Sequence, residues 1–168
     1  MTTVNSFAPV EGHAARVLIL GSMPGVASLT AGQYYAHAQN AFWKIMGEIL
    51  EVDASASYKK RIETLKDSHI ALWDVLESCM RPGSMDAAID MNSAKTNDIL
   101  ALLRRQPEIR IICFNGGAAE KIFKKRIQPS LGDYCGQYIR LPSTSPAHAR
   151  MTFKSKVEAW RSAIEPII

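Results

Sequence analysis

Short apolar runs, each ending in a loop rich in glycine, proline or serine, set the rhythm of this chain. Arg16-Val-Leu-Ile-Leu20 is a continuous run of strand length that stops at Gly21-Ser-Met-Pro-Gly25. Ile70–Leu76 and Ile109–Phe114 read as second and third strands, the latter entering Asn115-Gly-Gly117. Tyr138–Leu141 is a fourth, and it ends in Pro142-Ser-Thr-Ser-Pro146. Runs of this kind bounded by turn residues fit strands buried on both faces. Between them the apolar period lengthens. Phe42, Ile45, Met46, Ile49 and Leu50 share one face of a helix over Phe42–Leu50, and a more charged helix covers Ser57–Asp67. Ile99, Leu102 and Leu103 line a helix over Asn97–Arg105 that Pro107 ends. Ala118–Arg126 is a helix with a basic outer face, and Thr152–Ile164 closes the chain. Arg81-Pro-Gly-Ser84 is a turn, Met85–Thr96 a polar, loop-rich stretch, and residues 1–15 a partly ordered lead-in.

Strand and helix alternate throughout, which predicts a mostly parallel sheet covered on both faces. No repeat or low-complexity linker interrupts the chain, so residues 1–168 read as one domain. In a parallel sheet the carboxyl ends of the strands point the same way, and ligands bind there. Three loops should therefore meet although they are far apart in sequence: Gly21–Gly25 with its extension to Trp43, Asn115–Gly117, and Pro142–His148. The extension, Gln33-Tyr-Tyr-Ala-His-Ala-Gln-Asn-Ala-Phe-Trp43, is dense in aromatic rings, amides and imidazole. Such groups suit a planar, polar ligand such as a nucleobase.

The totals sharpen this only slightly. The 168 residues are 47% hydrophobic and 21% charged, an ordinary globular composition. A net charge of +4 and a pI of about 9.0 fit a polyanionic partner without requiring one. The three cysteines and four histidines show neither a disulfide framework nor metal-ligand spacing. The first residues lack a basic start and an apolar core, and no run nears the length of a membrane span, so the chain reads as cytosolic. Gly-Ser-Met-Pro-Gly lacks the Gly-Lys-Ser/Thr ending of a phosphate-binding loop, and Asn115-Gly-Gly117 lacks the full dinucleotide fingerprint. Neither Ser22 nor Ser145 sits in a Gly-x-Ser-x-Gly elbow.

Gly21-Ser-Met-Pro-Gly25, Tyr34-Tyr-Ala-His-Ala-Gln-Asn-Ala-Phe-Trp43 and Leu141-Pro-Ser-Thr-Ser-Pro-Ala-His148 together resemble the uracil-DNA glycosylase superfamily, and most of all its hypoxanthine-DNA (deoxyinosine) glycosylase branch. Leu72-Trp-Asp-Val-Leu76 through Cys79-Met-Arg-Pro-Gly-Ser84 and Phe114-Asn-Gly116 agree. The resemblance runs from about Arg16 to the last helix. It implies an α/β fold, a three-layer α/β/α sandwich around a four-stranded parallel sheet. It also implies monofunctional hydrolysis of the N-glycosidic bond of a deaminated base in double-stranded DNA, hypoxanthine first and uracil second. No cofactor and no metal are implied, and the partner is the damaged duplex, met by a monomer. A mismatch-type uracil/thymine-DNA glycosylase and an inactive nucleic-acid binding module of the same fold are the competing readings.

The resemblance also assigns roles. In the mismatch-type branches an asparagine in the first motif orients the attacking water; Met23 stands at that place and cannot. The catalytic residue becomes Asn40, positioning water for a transition state of oxocarbenium character. Read without the resemblance, Asn40 is a helix N-cap, and the two roles are compatible. Backbone N–H groups of Gly21, Ser22, Met23, Pro24 and Gly25 (proline excepted) would cradle the departing base. Tyr35 or Phe114 would stack on it, Phe114 being equally a core residue. His37 would bond the base or a phosphate, and Asn115 would also face the base. Ser143, Thr144, Ser145, Ala147, His148 and Arg150 would contact DNA. Where sister branches carry a residue that fills the gap left by the flipped base, this chain has Ala147, so His148 or Arg150 takes that part. Related sequences have proline at the place of Ala38, which leaves this loop less stiff.

Overall fold

The computed structural model describes residues 2–168; Met1, the first residue of the lead-in, lies outside them. Four strands form the central sheet: β2 (Val17–Gly21), β3 (Ile70–Asp74), β6 (Ile111–Asn115) and β7 (Gln137–Leu141). Their order is β3-β2-β6-β7 and every pairing is parallel. β2 and β3 are buried at every position, which is why they carry no polar alternation.

Side chains alternate between two cores. Leu18, Leu20, Ala71, Ile112 and Phe114 pack against α4 (Ile99–Arg105) and α5 (Gly117–Arg126). Val17, Ile19, Ile70, Leu72, Ile111 and Cys113 pack against α2 (Phe42–Leu50), α3 (Tyr58–Asp67) and α6 (Phe153–Ile164). The three layers predicted from the sequence are present. Ser57, Asp98 and Thr152 cap α3, α4 and α6 by accepting backbone N–H bonds from Lys60, Ala101 and Ser155.

A second, three-stranded antiparallel sheet departs from the sequence reading. Its order is β1-β4-β5, from β1 (Thr3–Asn5), β4 (Leu76–Met80) and β5 (Asp90–Thr96). Part of the lead-in is therefore structural: β1 pairs with β4, and Val10 bridges Leu72. The expected strand Ile70–Leu76 is two strands. The Val75 N–H donates to the Gly21 carbonyl and the Leu76 N–H to that of Ser22, and the chain then leaves one sheet for the other. Met85–Thr96 is not loop-rich; a single 3₁₀ turn, Asp86–Ala88, leads into β5. A short helix, α1 (Val26–Ala31), follows the first loop. None of the described helices is long and apolar enough to cross a membrane.

Candidate active site

The carboxyl ends of β2, β3 and β6 open onto a cavity of about 290 Å³. Its walls are Gly21–Ser28, Tyr34, Tyr35, His37, Asn40, Asp74, Ser84–Asp86, Asn115 and Ser143–Ala147. The three loops expected to gather do so.

The first loop is held from outside. The buried Arg81 guanidinium donates from Nη2 to the Pro24 carbonyl and from Nε to that of Gly83 (3.0 Å). Ser84 Oγ accepts the Val26 N–H at 2.8 Å, and Ser22 Oγ donates to Asp86 Oδ1 at 2.6 Å. The N–H groups of Met23 and Gly25 make no hydrogen bond among the described residues, so they remain available to an anion. The Met23 side chain is buried in the core.

Tyr35 adopts a left-handed backbone conformation (φ 54°). Strain of this kind in a non-glycine residue persists where the surroundings over-determine it. The ring stacks on Phe42 with centroids 4.1 Å apart and planes 25° apart. Its hydroxyl is buried without a hydrogen-bond partner. Burial, with Asp74 nearby, raises its pKa.

Asp74 stands against the same spot. A Cβ at Gly21 would lie 2.5 Å from Asp74 Oδ1 and 3.0 Å from the Tyr35 hydroxyl. Only glycine leaves room for both. Gly21→Ala should displace the Asp74 carboxyl and lower base release about 100-fold, the penalty of an ångström-scale misplacement; release assays alongside melting curves would measure it. Burial, and the Asp86 carboxylate after it, push the Asp74 pKa up from 3.8 to about 7. Between those values the folded protein binds more protons than the unfolded one. The carboxyl therefore carries no ionisation penalty below pH 4, and stability is lost as pH rises through 7, by on the order of 4 kcal/mol. In urea unfolding, Asp74→Asn should exceed wild type in stability above pH 7 and match it near pH 4.

Asn40 Oδ1 accepts the Phe42 N–H at 3.0 Å. That assigns the amide orientation and leaves Nδ2 with no partner among the described residues, on a residue that lines the cavity. The N-cap of α2 is Ala41, which has no side-chain cap bond, so Asn40 is not the expected cap; it stands one residue earlier, braces the Phe42 N–H and lines the cavity. His37 is exposed, and its Nδ1 accepts the Gln39 N–H at 3.1 Å, leaving Nε2 as the outward donor.

Asn115 uses its amide on the third loop: Oδ1 accepts the Thr144 N–H and Nδ2 donates to Thr144 Oγ1, both at 2.9 Å. The Thr144 carbonyl accepts the Ala41 N–H. Thr144, 1% exposed, is therefore a latch between loops and is not available to a phosphate. Ser143 and Ser145 line the cavity; each hydroxyl accepts an N–H two residues on and keeps its own proton to donate. The turn at Gly116 has φ 93°, and a Cβ there would meet Ser143 Cβ at 3.0 Å. Gly116→Ala should destabilise the fold by about 1–3 kcal/mol in denaturant unfolding.

One expected base contact is not brought to the cavity, and two residues expected at the DNA stand outside it. Phe114 is wholly buried between Phe123 and Tyr138, because its position in β6 turns it into the core; the aromatics in the cavity wall are Tyr34 and Tyr35. His148 and Arg150 lie beyond the wall, at the protein surface. Among the wall residues that the sequence reading passed over are Asp74, Ser84, Met85 and Asp86. For Asp74 a signal existed, a carboxylate inside the apolar run Ile70–Leu76.

An α/β protein with a cavity of about 290 Å³, carrying polar groups in its wall, at the carboxyl edge of a four-stranded parallel sheet is the class these features define. The family model described as "Uracil DNA glycosylase superfamily" matches residues 9–164, and the chain belongs to that superfamily. A protein of Methanosarcina acetivorans named hypoxanthine DNA glycosylase is 34% identical over 157 residues, 93% of this chain and 94% of the relative. One of the same name from Methanosarcina barkeri is 32% identical over 163 residues, 95% and 96%. The solution NMR structure of a candidate uracil DNA glycosylase from Methanosarcina acetivorans superposes with TM-score 0.83 at 30% identity, covering 99% of both chains.

Proposed function

We propose that this protein is a monofunctional DNA glycosylase that hydrolyses the N-glycosidic bond of a deaminated base, hypoxanthine before uracil, in double-stranded DNA. The observation that carries the reading is the meeting of Asn40, the Met23 and Gly25 N–H groups and Tyr35 in one cavity, in a chain whose relatives are named for hypoxanthine. The whole chain works as one domain and as a monomer, in the cytoplasm or on the nucleoid, where its substrate would be.

A deaminated base pairs weakly, so turning it out of the stack costs least there. Tyr35 faces the extruded base. The Met23 and Gly25 N–H groups receive the negative charge that develops on it, in a water-poor setting where such donors count most. Asn40 Nδ2 holds a water oxygen against the sugar. The sugar's oxocarbenium character makes a weak, well-placed nucleophile sufficient. Ser143 and Ser145 donate to the flanking phosphates, and His148 and Arg150 reach the DNA from the same loop. Arg140 is partly neutralised by Glu120 at 3.5 Å. Arg126 is engaged by the Met91 and Ala94 carbonyls, which makes it a clamp of α5 on β5.

The test is a panel of duplexes carrying hypoxanthine, uracil, xanthine and thymine mismatches, with abasic sites revealed by alkali. Strand scission at hypoxanthine, with less at uracil, is expected. Duplexes left intact would overturn the proposal, and tight binding without release would favour the inactive module that Met23 suggests.

A further inference from the structure

The Asp74 carboxyl is given no role in the steps above, yet it is the buried acid of the cavity wall. It is 3% exposed, and its Oδ2 is buried without a partner. A buried carboxyl left unpaired is unfavourable unless a ligand completes it. The structure holds it firmly: its backbone carbonyl accepts from Asn97 Nδ2 at 2.9 Å, and β3 pairs with β2 through Gly21.

We propose that Asp74 reads the extruded base in its neutral form, its O–H donating to a ring carbonyl and its C=O accepting the adjacent ring N–H; the identity of that ligand rests on the glycosylase reading. Hypoxanthine and uracil both present a carbonyl beside an N–H. A neutral carboxyl matches that edge with two hydrogen bonds. An ionised carboxylate only accepts; it would keep one bond and set its second oxygen against the carbonyl. It would also oppose the negative charge of the leaving base, which a neutral O–H relieves. No proton leaves Asp74 in this role, so it is a specificity and leaving-group residue and not the base that activates water.

The surroundings favour the neutral form. The groups facing the carboxyl are the Asp86 carboxylate from the 3₁₀ turn, the Arg81 guanidinium from the loop after β4, and the Tyr34 and Tyr35 hydroxyls from the loop before α2. Gly21 and Asn115, which share the cavity wall with it, are uncharged. Burial and Asp86 together outweigh Arg81.

The test uses the full chain and three readouts. In wild type, kcat/KM for hypoxanthine release should fall about tenfold per pH unit once Asp74 ionises. Asp74→Asn carries a donor and an acceptor that do not titrate. It should keep release within about tenfold of wild type and lose that alkaline fall. Asp74→Leu should lose about 100- to 1000-fold, as removal of a transition-state donor does, with melting curves confirming that it folds. The third readout needs no turnover: the Asp74 carboxyl ¹³C signal, assigned by its loss in Asp74→Asn, is titrated with and without free hypoxanthine. The free base should move the midpoint to higher pH. An unmoved midpoint, an alkaline fall that survives in Asp74→Asn, or full activity in Asp74→Leu would each overturn the proposal. A midpoint that moves in a protein releasing no base from DNA would uphold it and sink the glycosylase reading.

Discussion

Asn40→Ala is expected to lower the single-turnover rate of hypoxanthine release by about a thousandfold, the scale on which positioning of a nucleophile acts, while the fold persists. The stability change should be small. The variant gives up the Asn40 Oδ1 bond to the Phe42 N–H, a loss of about 1 kcal/mol for a single hydrogen bond, or a fall of about 2–4 °C in Tm for a chain of this size. The neighbouring anchors survive: Phe42 is fully buried, the Ala41 N–H still donates to Thr144, and Trp43 Nε1 still donates to the Tyr34 carbonyl. Duplex binding should hardly change, because Asn40 is given no phosphate in this scheme. A large loss in rate with little loss in affinity or melting temperature separates a water-positioning side chain from one that only braces the start of α2. Turnover equal to wild type would remove Asn40 from the mechanism.

The central sheet was legible because β2, β3 and β6 are buried on both faces, and such strands announce themselves as unbroken apolar runs. The second sheet was not. β1 is polar and mostly exposed, β4 alternates Leu76 and Cys79 with exposed or half-buried residues, and β5 contributes only Ala94 to the core as a fully buried residue. One solvated face and two shifts of register in β4–β5 break the alternation that would have marked them. The site shows the same division. Motifs at strand ends were placed correctly because parallel topology brings those ends together. Side-chain direction was not legible: Phe114 and Asn115 are adjacent, yet one enters the core and the other the cavity wall. Thr144 read as a phosphate contact because its bond to Asn115 spans 29 residues. The Ser84–Asp86 wall was hidden because it depends on the chain crossing between sheets at Val75, inside what read as a single strand.

That crossing makes Arg81 the site of the second large effect. Arg81→Met should lower base release about 100-fold, a loss typical of misplacing reacting groups by about an ångström. The guanidinium is 3% exposed and clamps the first loop through the Pro24 carbonyl, and Nη1 is buried with no partner. It is also the cation that holds down the Asp74 pKa against burial and Asp86. Methionine fills the volume but removes both actions. The Pro24 carbonyl loses its donor, an unsatisfied acceptor that costs about 1–3 kcal/mol of stability, and the Met23 and Gly25 N–H groups lose their aim. Meanwhile two carboxyl groups face a leaving base without a counter-charge. The sign of the pH effect follows: with the cation gone Asp74 ionises later, so the alkaline fall in activity should shift to higher pH even as the maximal rate drops. Arg81→Lys should restore the position of that limb by restoring charge. It should recover only part of the rate, because an ammonium cannot reproduce the guanidinium's fixed fork of donors toward Pro24 and Gly83. A rate and a pH limb both equal to wild type in Arg81→Met would show that the second sheet merely supports the cavity and takes no part in its electrostatics.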